Sequence, residues 1–141
     1  MRENILLIVA TILWGIWGIT NKFAIERAHP FTVQWMYSLP IALAIPLWLW
    51  LGDRAEPSNG QPLPALGWAV ASGVVATLAV LLMFFALQNT PPSLATAITA
   101  AYPVVTLALS VLLRLEALSL QKVLGLALVI VGLIVLLGET S

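Results

Sequence analysis

The 141-residue chain has no cysteine and very little charge. The missing cysteine excludes disulfides, iron–sulfur clusters and thiol nucleophiles, and leaves the redox compartment unreadable. Acidic and basic residues together make up 9% of the chain, against about 25% in soluble domains. Hydrophobic residues make up 61%. A water-facing surface cannot be built from so few ionised groups. The formal net charge is zero, so no general attraction to nucleic acid is implied. Histidine occurs once, as His29 beside Pro30. A metal site on it would need carboxylates from elsewhere, and an interfacial loop residue is the plainer reading. No nucleophile–base pair or metal-ligand cluster is visible, so neither an enzyme nor a cofactor is expected.

What is present is a series of apolar runs. About 20 apolar residues in a helix cross the hydrocarbon core of a bilayer. Five segments qualify, at about 5–25, 31–51, 65–87, 94–113 and 120–137. The expected fold is therefore all-α and integral to the membrane, a bundle of five transmembrane helices in one domain spanning 1–141. The first run is too long for the apolar core of a signal peptide and carries bulky tryptophans, so it reads as an uncleaved signal anchor.

The connections support this division. "ERAHP" ends the first span with charge and a proline, and "GDRAEPSNGQPLP" is a loop with an Asn59-Gly60 turn signal. Pro62 and Pro64 suit the start of a helix. In the tight link "QNTPPS", Thr90 or Ser93 can cap the fourth helix. Ser119 can cap the fifth and Gly138 can end it. Short links make neighbours antiparallel, which puts the two termini on opposite sides. Arg2, Arg54, Arg114 and Lys122 lie with the amino terminus, and Lys22 and Arg27 lie opposite. This bias favours a cytoplasmic amino terminus in the cell inner membrane. It is slight enough to leave insertion in both orientations open.

Two spans carry most of the polar signal. Trp14, Gly18 and Asn21 share one face of the first helix, with Trp17 and Lys22 on its flanks. Lys22 can snorkel to the interface or border an aqueous cavity and attract an anion. Trp48, Trp50 and Trp68 sit near span ends, as interfacial belt residues do. Trp14 and Trp17 are nearer mid-span, where they can pack between helices or line a pocket. On the fourth helix Thr96, Thr99, Pro103, Thr106 and Ser110 fall within about 80° of arc. Such a stripe reads either as a helix-packing face or as a cavity wall. Pro103 at mid-span predicts a kink whose freed carbonyl is served by a hydroxyl or water. Glu116 lies just outside the span, within reach of Arg114, Lys122 or the amide end of the fifth helix. Gly125 and Gly132 share a face of that helix and read as a close-packing surface.

Taken together these residues resemble the EamA-like domain of the drug/metabolite transporter superfamily. "LLIVATILWGIWGITNKFAI" is similar to the family's first helix, with a Trp14-Gly15 pair and Lys22 near its end. "FFALQNTPPSLATAITAAYPVVTLALSVLLRLEALSLQKVLGLALVIVGLIVLLG" is similar to its last three helices, with Pro103, Glu116, Gln121, Gly125 and Gly132 in place. The family often has an arginine in the second helix, where this chain reads "PFTVQWMYSLP" with Met36-Tyr37. No role of that arginine carries over. The resemblance implies two inverted five-helix repeats. A chain with one repeat would then pair with a second copy, inverted or parallel, or with a separate partner.

The expected function is a small-metabolite transporter or facilitator in the lipid bilayer. It would work as a homodimer with alternating access around a midplane site. Trp14, Trp17, Asn21 and Lys22 of the first helix are the candidate substrate contacts, with Thr99, Tyr102, Pro103 and Thr106 of the fourth. The aromatics would supply stacking or cation–π attraction and the polar groups orientation. No carboxylate lies mid-span, which weighs against carboxylate-mediated proton antiport. The rival reading is a non-transporting membrane assembly or regulatory subunit.

Overall fold

The computed structural model describes residues 2–54 and 62–138. The Asn59-Gly60 turn lies outside the described residues. All described regular structure is helical: α1 (Arg2–Ile25), α2 (Pro30–Leu43), α3 (Ile45–Gly52), α4 (Pro62–Asn89), α5 (Pro92–Thr99), α6 (Tyr102–Leu112) and α7 (Leu120–Gly138). They form five stretches long and apolar enough to cross a membrane: Glu3–Ile25, Pro30–Gly52, Ala65–Asn89, Pro92–Leu112 and Leu120–Gly138. The fold is the all-α, five-span one expected from the apolar runs.

Two spans are broken, and proline accounts for both breaks. A proline cannot donate to the carbonyl four residues back, and its ring crowds that carbonyl and the residue before it. The second span is interrupted at Ala44, between α2 and α3, with Pro46 in the first turn of α3. The sequence reading had no break there. The fourth span breaks at Ala100–Ala101, and Pro103 sits in the first turn of α6. The interruption therefore falls before Pro103, where the restricted backbone begins a new helix. The expected service by a hydroxyl takes another form: Thr96, Thr99 and Thr106 bond to carbonyls one turn earlier in their own span, at 2.7, 3.1 and 3.2 Å.

Capping also differs in part. The residue before α5 is Pro91, and no side chain caps that helix, so neither Thr90 nor Ser93 takes the role. Pro91 takes the capping position and has no side-chain acceptor, while Pro92 removes one of the unserved amides at the first helical position. Ser119 does cap α7, its hydroxyl oxygen accepting from the Lys122 amide at 3.3 Å.

The chain divides into two compact units, Thr20–Asn89 on one hand and Met1–Ile19 with Thr90–Ser141 on the other. In the first unit α2 packs along α4. Phe84 and Leu87 are fully buried, with Ile25, Val33 and Met83 nearly so. Tyr37 meets the Phe84 ring edge-on at 5.8 Å. Phe85 makes edge contacts with both Phe31 and His29, at 5.4 and 5.9 Å. His29 caps α2, its Nδ1 accepting from the Phe31 amide at 3.4 Å. This is the role of a structured loop residue.

In the second unit Gly18 lets the fourth span come close: a Cβ there would stand 3.0 Å from Thr96 Cγ2. Ala95, next to Thr96, is buried, and α5 packs beside α7. Gly125 and Gly132 do not repeat this behaviour, since a Cβ at either would meet nothing within 4 Å. The expected close packing on that face is not made among the described residues. Trp48, Trp50 and Trp68 are exposed, as belt residues are, and the Arg54 guanidinium lies 3.8 Å over the Trp50 ring.

Candidate functional site

The carboxyl end of the first span and the start of the second line an open cavity of about 380 Å³. Asn21, Ala24, Arg27 and Ala28 line it from the first segment, and Val33, Met36 and Tyr37 from α2. A spacing of three residues places Asn21 and Ala24 on one face of α1, and Ala28 follows in the turn after it, its amide bonded to the Ala24 carbonyl at 3.0 Å. The alanines leave the room, and Val33 and Met36 add an apolar wall. Asn21 is only 6% exposed, so an amide is held inside an otherwise mostly hydrocarbon environment. Pro40 lies within α2 and cannot donate to Met36, so that carbonyl lacks its helical partner beside the cavity. A small volume with an apolar lining and a few fixed polar groups is the form ligand sites take.

Arg27 is the cation of this lining. Its Nη1 donates to the Phe23 carbonyl at 2.6 Å, and its guanidinium lies 5.7 Å from the Phe23 ring centre. Lys22, one residue from Asn21, does not line the cavity. Its ammonium donates to the Leu87 carbonyl at 2.8 Å and stands 3.9 Å from Glu26. The sequence explains why Leu87 needs it. Four residues on is Pro91, which has no amide, so the carbonyl lacks its intrahelical donor. A cation at the last turn of α4 also meets the negative end of the helix dipole.

Of the eight residues singled out from the sequence, Asn21 alone lines this cavity. Trp14, Trp17, Thr99, Tyr102, Pro103 and Thr106 belong to the other compact unit. There Trp14 is 67% exposed and Tyr102 60%. Thr99 and Thr106 bond back to their own span. Arg27 escaped the sequence reading because it sits in the charged link "ERAHP", where a cation looks like a topology signal. Met36 and Tyr37 drew notice only as a departure from a pattern. Among the described residues no cluster of three His, Cys, Asp or Glu could hold a metal.

Five helices long and apolar enough to cross a membrane define a multi-pass membrane protein. The model of the EamA-like transporter family matches residues 1–138, and the chain belongs to that family. It is also similar to an uncharacterized protein of Methanocaldococcus jannaschii, 26% identical over 132 residues that cover 94% of this chain and 93% of that one. No solved structure matches.

Proposed function

We propose that the protein moves a small metabolite across the cell inner membrane, and that the cavity at Asn21 is part of its path. The observation that carries this reading is the nearly buried Asn21 amide in an apolar cavity of about 380 Å³. Family membership supports it. A polar side chain placed inside a membrane span is costly, and function is the usual reason for one. The spans broken at Ala44 and at Ala100–Ala101 supply hinges of the kind alternating access uses. The working form in this reading is a homodimer of five-span repeats, parallel or inverted, with a cytoplasmic amino terminus in the majority orientation. The open glycine face of α7, at Gly125 and Gly132, is where a second copy can approach closely. Trp14, Trp17, Thr99, Tyr102, Pro103 and Thr106 remain candidates for contacts made later in the cycle or in the dimer.

Reconstitution tests the proposal. Proteoliposomes loaded with a panel of amino acids, amines, carboxylates and sugar phosphates should show protein-dependent flux of at least one solute. Asn21→Leu should reduce that flux by about tenfold with insertion intact. Absence of flux for every solute would favour the assembly-subunit reading.

A further inference from the structure

We infer that Arg27 gives the cavity a sign: its ligand is a small carboxylate with an apolar body, held by the guanidinium and oriented by Asn21. This rests on the reading of the cavity as a solute site. The first support is the charge inventory of the wall. Arg27 lines it, and the other six lining residues carry no charge. The second is the fate of the neighbouring ionised groups. Glu26 lies 3.9 Å from the Lys22 ammonium, and that ammonium is committed to the Leu87 carbonyl. The ion pairs among the described residues are Lys22–Glu26 and Lys122–Glu116, so Arg27 has no carboxylate partner there.

The third support is donor capacity. A guanidinium offers five N–H groups, and one is engaged by the Phe23 carbonyl. The Nη2 and Nε edge retains the fork geometry that matches a carboxylate with two parallel bonds. A lysine could not do this while holding one carbonyl. Arg27 follows the last residue of α1 by two positions, in the turn, and lines the cavity with its Phe23 bond in place. Ala24, Ala28, Val33 and Met36 then face the apolar body. The Met36 carbonyl, which Pro40 cannot serve, offers an acceptor site for a second polar group, and the buried Asn21 side chain stands on the same wall.

Equilibrium binding separates this from the transport reading, because it needs no flux. The purified full chain in neutral detergent would be dialysed against 3-phenylpropionate, 3-phenylpropanol and phenethylamine, which share a body and differ in head-group charge. The propionate should bind at least about tenfold more tightly than the alcohol, and the amine more weakly still. Arg27→Gln should abolish the preference and Arg27→Lys should keep part of it. Arg54→Gln, which removes a cation from a different helix end, should change nothing. Ala28→Glu supplies an independent arm: a carboxylate in the wall should turn the preference toward the amine. Repeating the titration in nanodiscs of phosphatidylcholine and of phosphatidylglycerol distinguishes a solute carboxylate from a lipid phosphate. Equal binding of all three solutes, binding of none, an anion preference that survives Arg27→Gln, or complete displacement of the propionate by phosphatidylglycerol would each overturn the inference. Anion binding without flux would leave it standing and count against transport.

Discussion

The Lys22 ammonium bonds the Leu87 carbonyl at 2.8 Å, and that carbonyl belongs to the residue whose helical donor is replaced by Pro91. The first and third spans are thus joined at a point where the chain's own proline leaves an acceptor unserved. Lys22→Met should cost about 2 kcal/mol, since a partly buried acceptor loses a charged donor. Lys22→Arg should restore part of this. Thermal unfolding in detergent, followed by helical circular dichroism, measures both. A methionine variant as stable as the parent would show that water serves Leu87 equally well.

Gly18 and Thr96 form a second joint, with 3.0 Å left for a Cβ. Thr96 cannot easily turn away, because its hydroxyl is bonded to the Pro92 and Ser93 carbonyls at 2.7 and 3.0 Å. Gly18→Ala gains helix propensity of about 1 kcal/mol but overpacks this contact by about 1–3 kcal/mol. The expected net effect is destabilisation. Thr96→Ser removes Cγ2 and should make the alanine tolerable. A double-mutant cycle should give a coupling of at least about 0.5 kcal/mol, and additive effects would place the contact elsewhere.

Much of this architecture is legible in the sequence, for a plain reason. In lipid the length of an apolar run nearly determines a helix, so the five spans follow from hydropathy alone. Details set by competition between local partners are harder to read. Thr90 and Ser93 look like caps, but the helix begins at Pro92 and the capping position falls to Pro91, which has no side-chain acceptor. Pro46 breaks the second span, yet it sits in a run as apolar as any other. Asn21 stands out as a polar residue in an apolar helix, whereas Arg27 is hidden by its charged surroundings. Gly125 and Gly132 have a clear spacing, but spacing does not say whether the packing partner lies in the same chain.

Arg114 has a left-handed backbone, with φ of 57°. It follows the end of α6 in the position glycine usually takes. The Leu115 amide returns to the Ser110 carbonyl at 2.8 Å and the Arg114 amide to Val111 at 3.0 Å. An arginine pays a steric cost there that glycine avoids. Arg114→Gly should therefore stabilise the protein by about 0.5–1 kcal/mol, the gain reduced by glycine's freedom in the unfolded chain. A lower unfolding temperature for this variant would mean that the arginine side chain contributes more than its backbone strain removes.

Glu116 accepts from the Lys122 ammonium at 2.7 Å, and this bond holds its carboxyl below the ordinary glutamate value, with the lysine's charge and a bond from Ser110 adding to the effect. A depressed pKa means that the pair stabilises the folded state above the unfolded glutamate pKa. That contribution fades as pH falls through the lowered value. Glu116→Gln should remove this part of the acid dependence of unfolding while leaving the neutral-pH helix content unchanged. The pair is exposed, so the effect should be small and should shrink further at high salt. An unaltered acid limb in the variant would assign the dependence to other carboxylates.

The absence of cysteine makes the central claim directly testable, because a single thiol can be placed in the cavity wall. Ala24→Cys, reconstituted in proteoliposomes, should conduct the same solute as the parent. Treatment with a membrane-impermeant thiol reagent should then modify Cys at this site and reduce flux by about tenfold, with the solute itself slowing the modification. A reactive thiol whose modification leaves flux unchanged, or a thiol that no aqueous reagent reaches, would contradict a path through the Asn21 cavity.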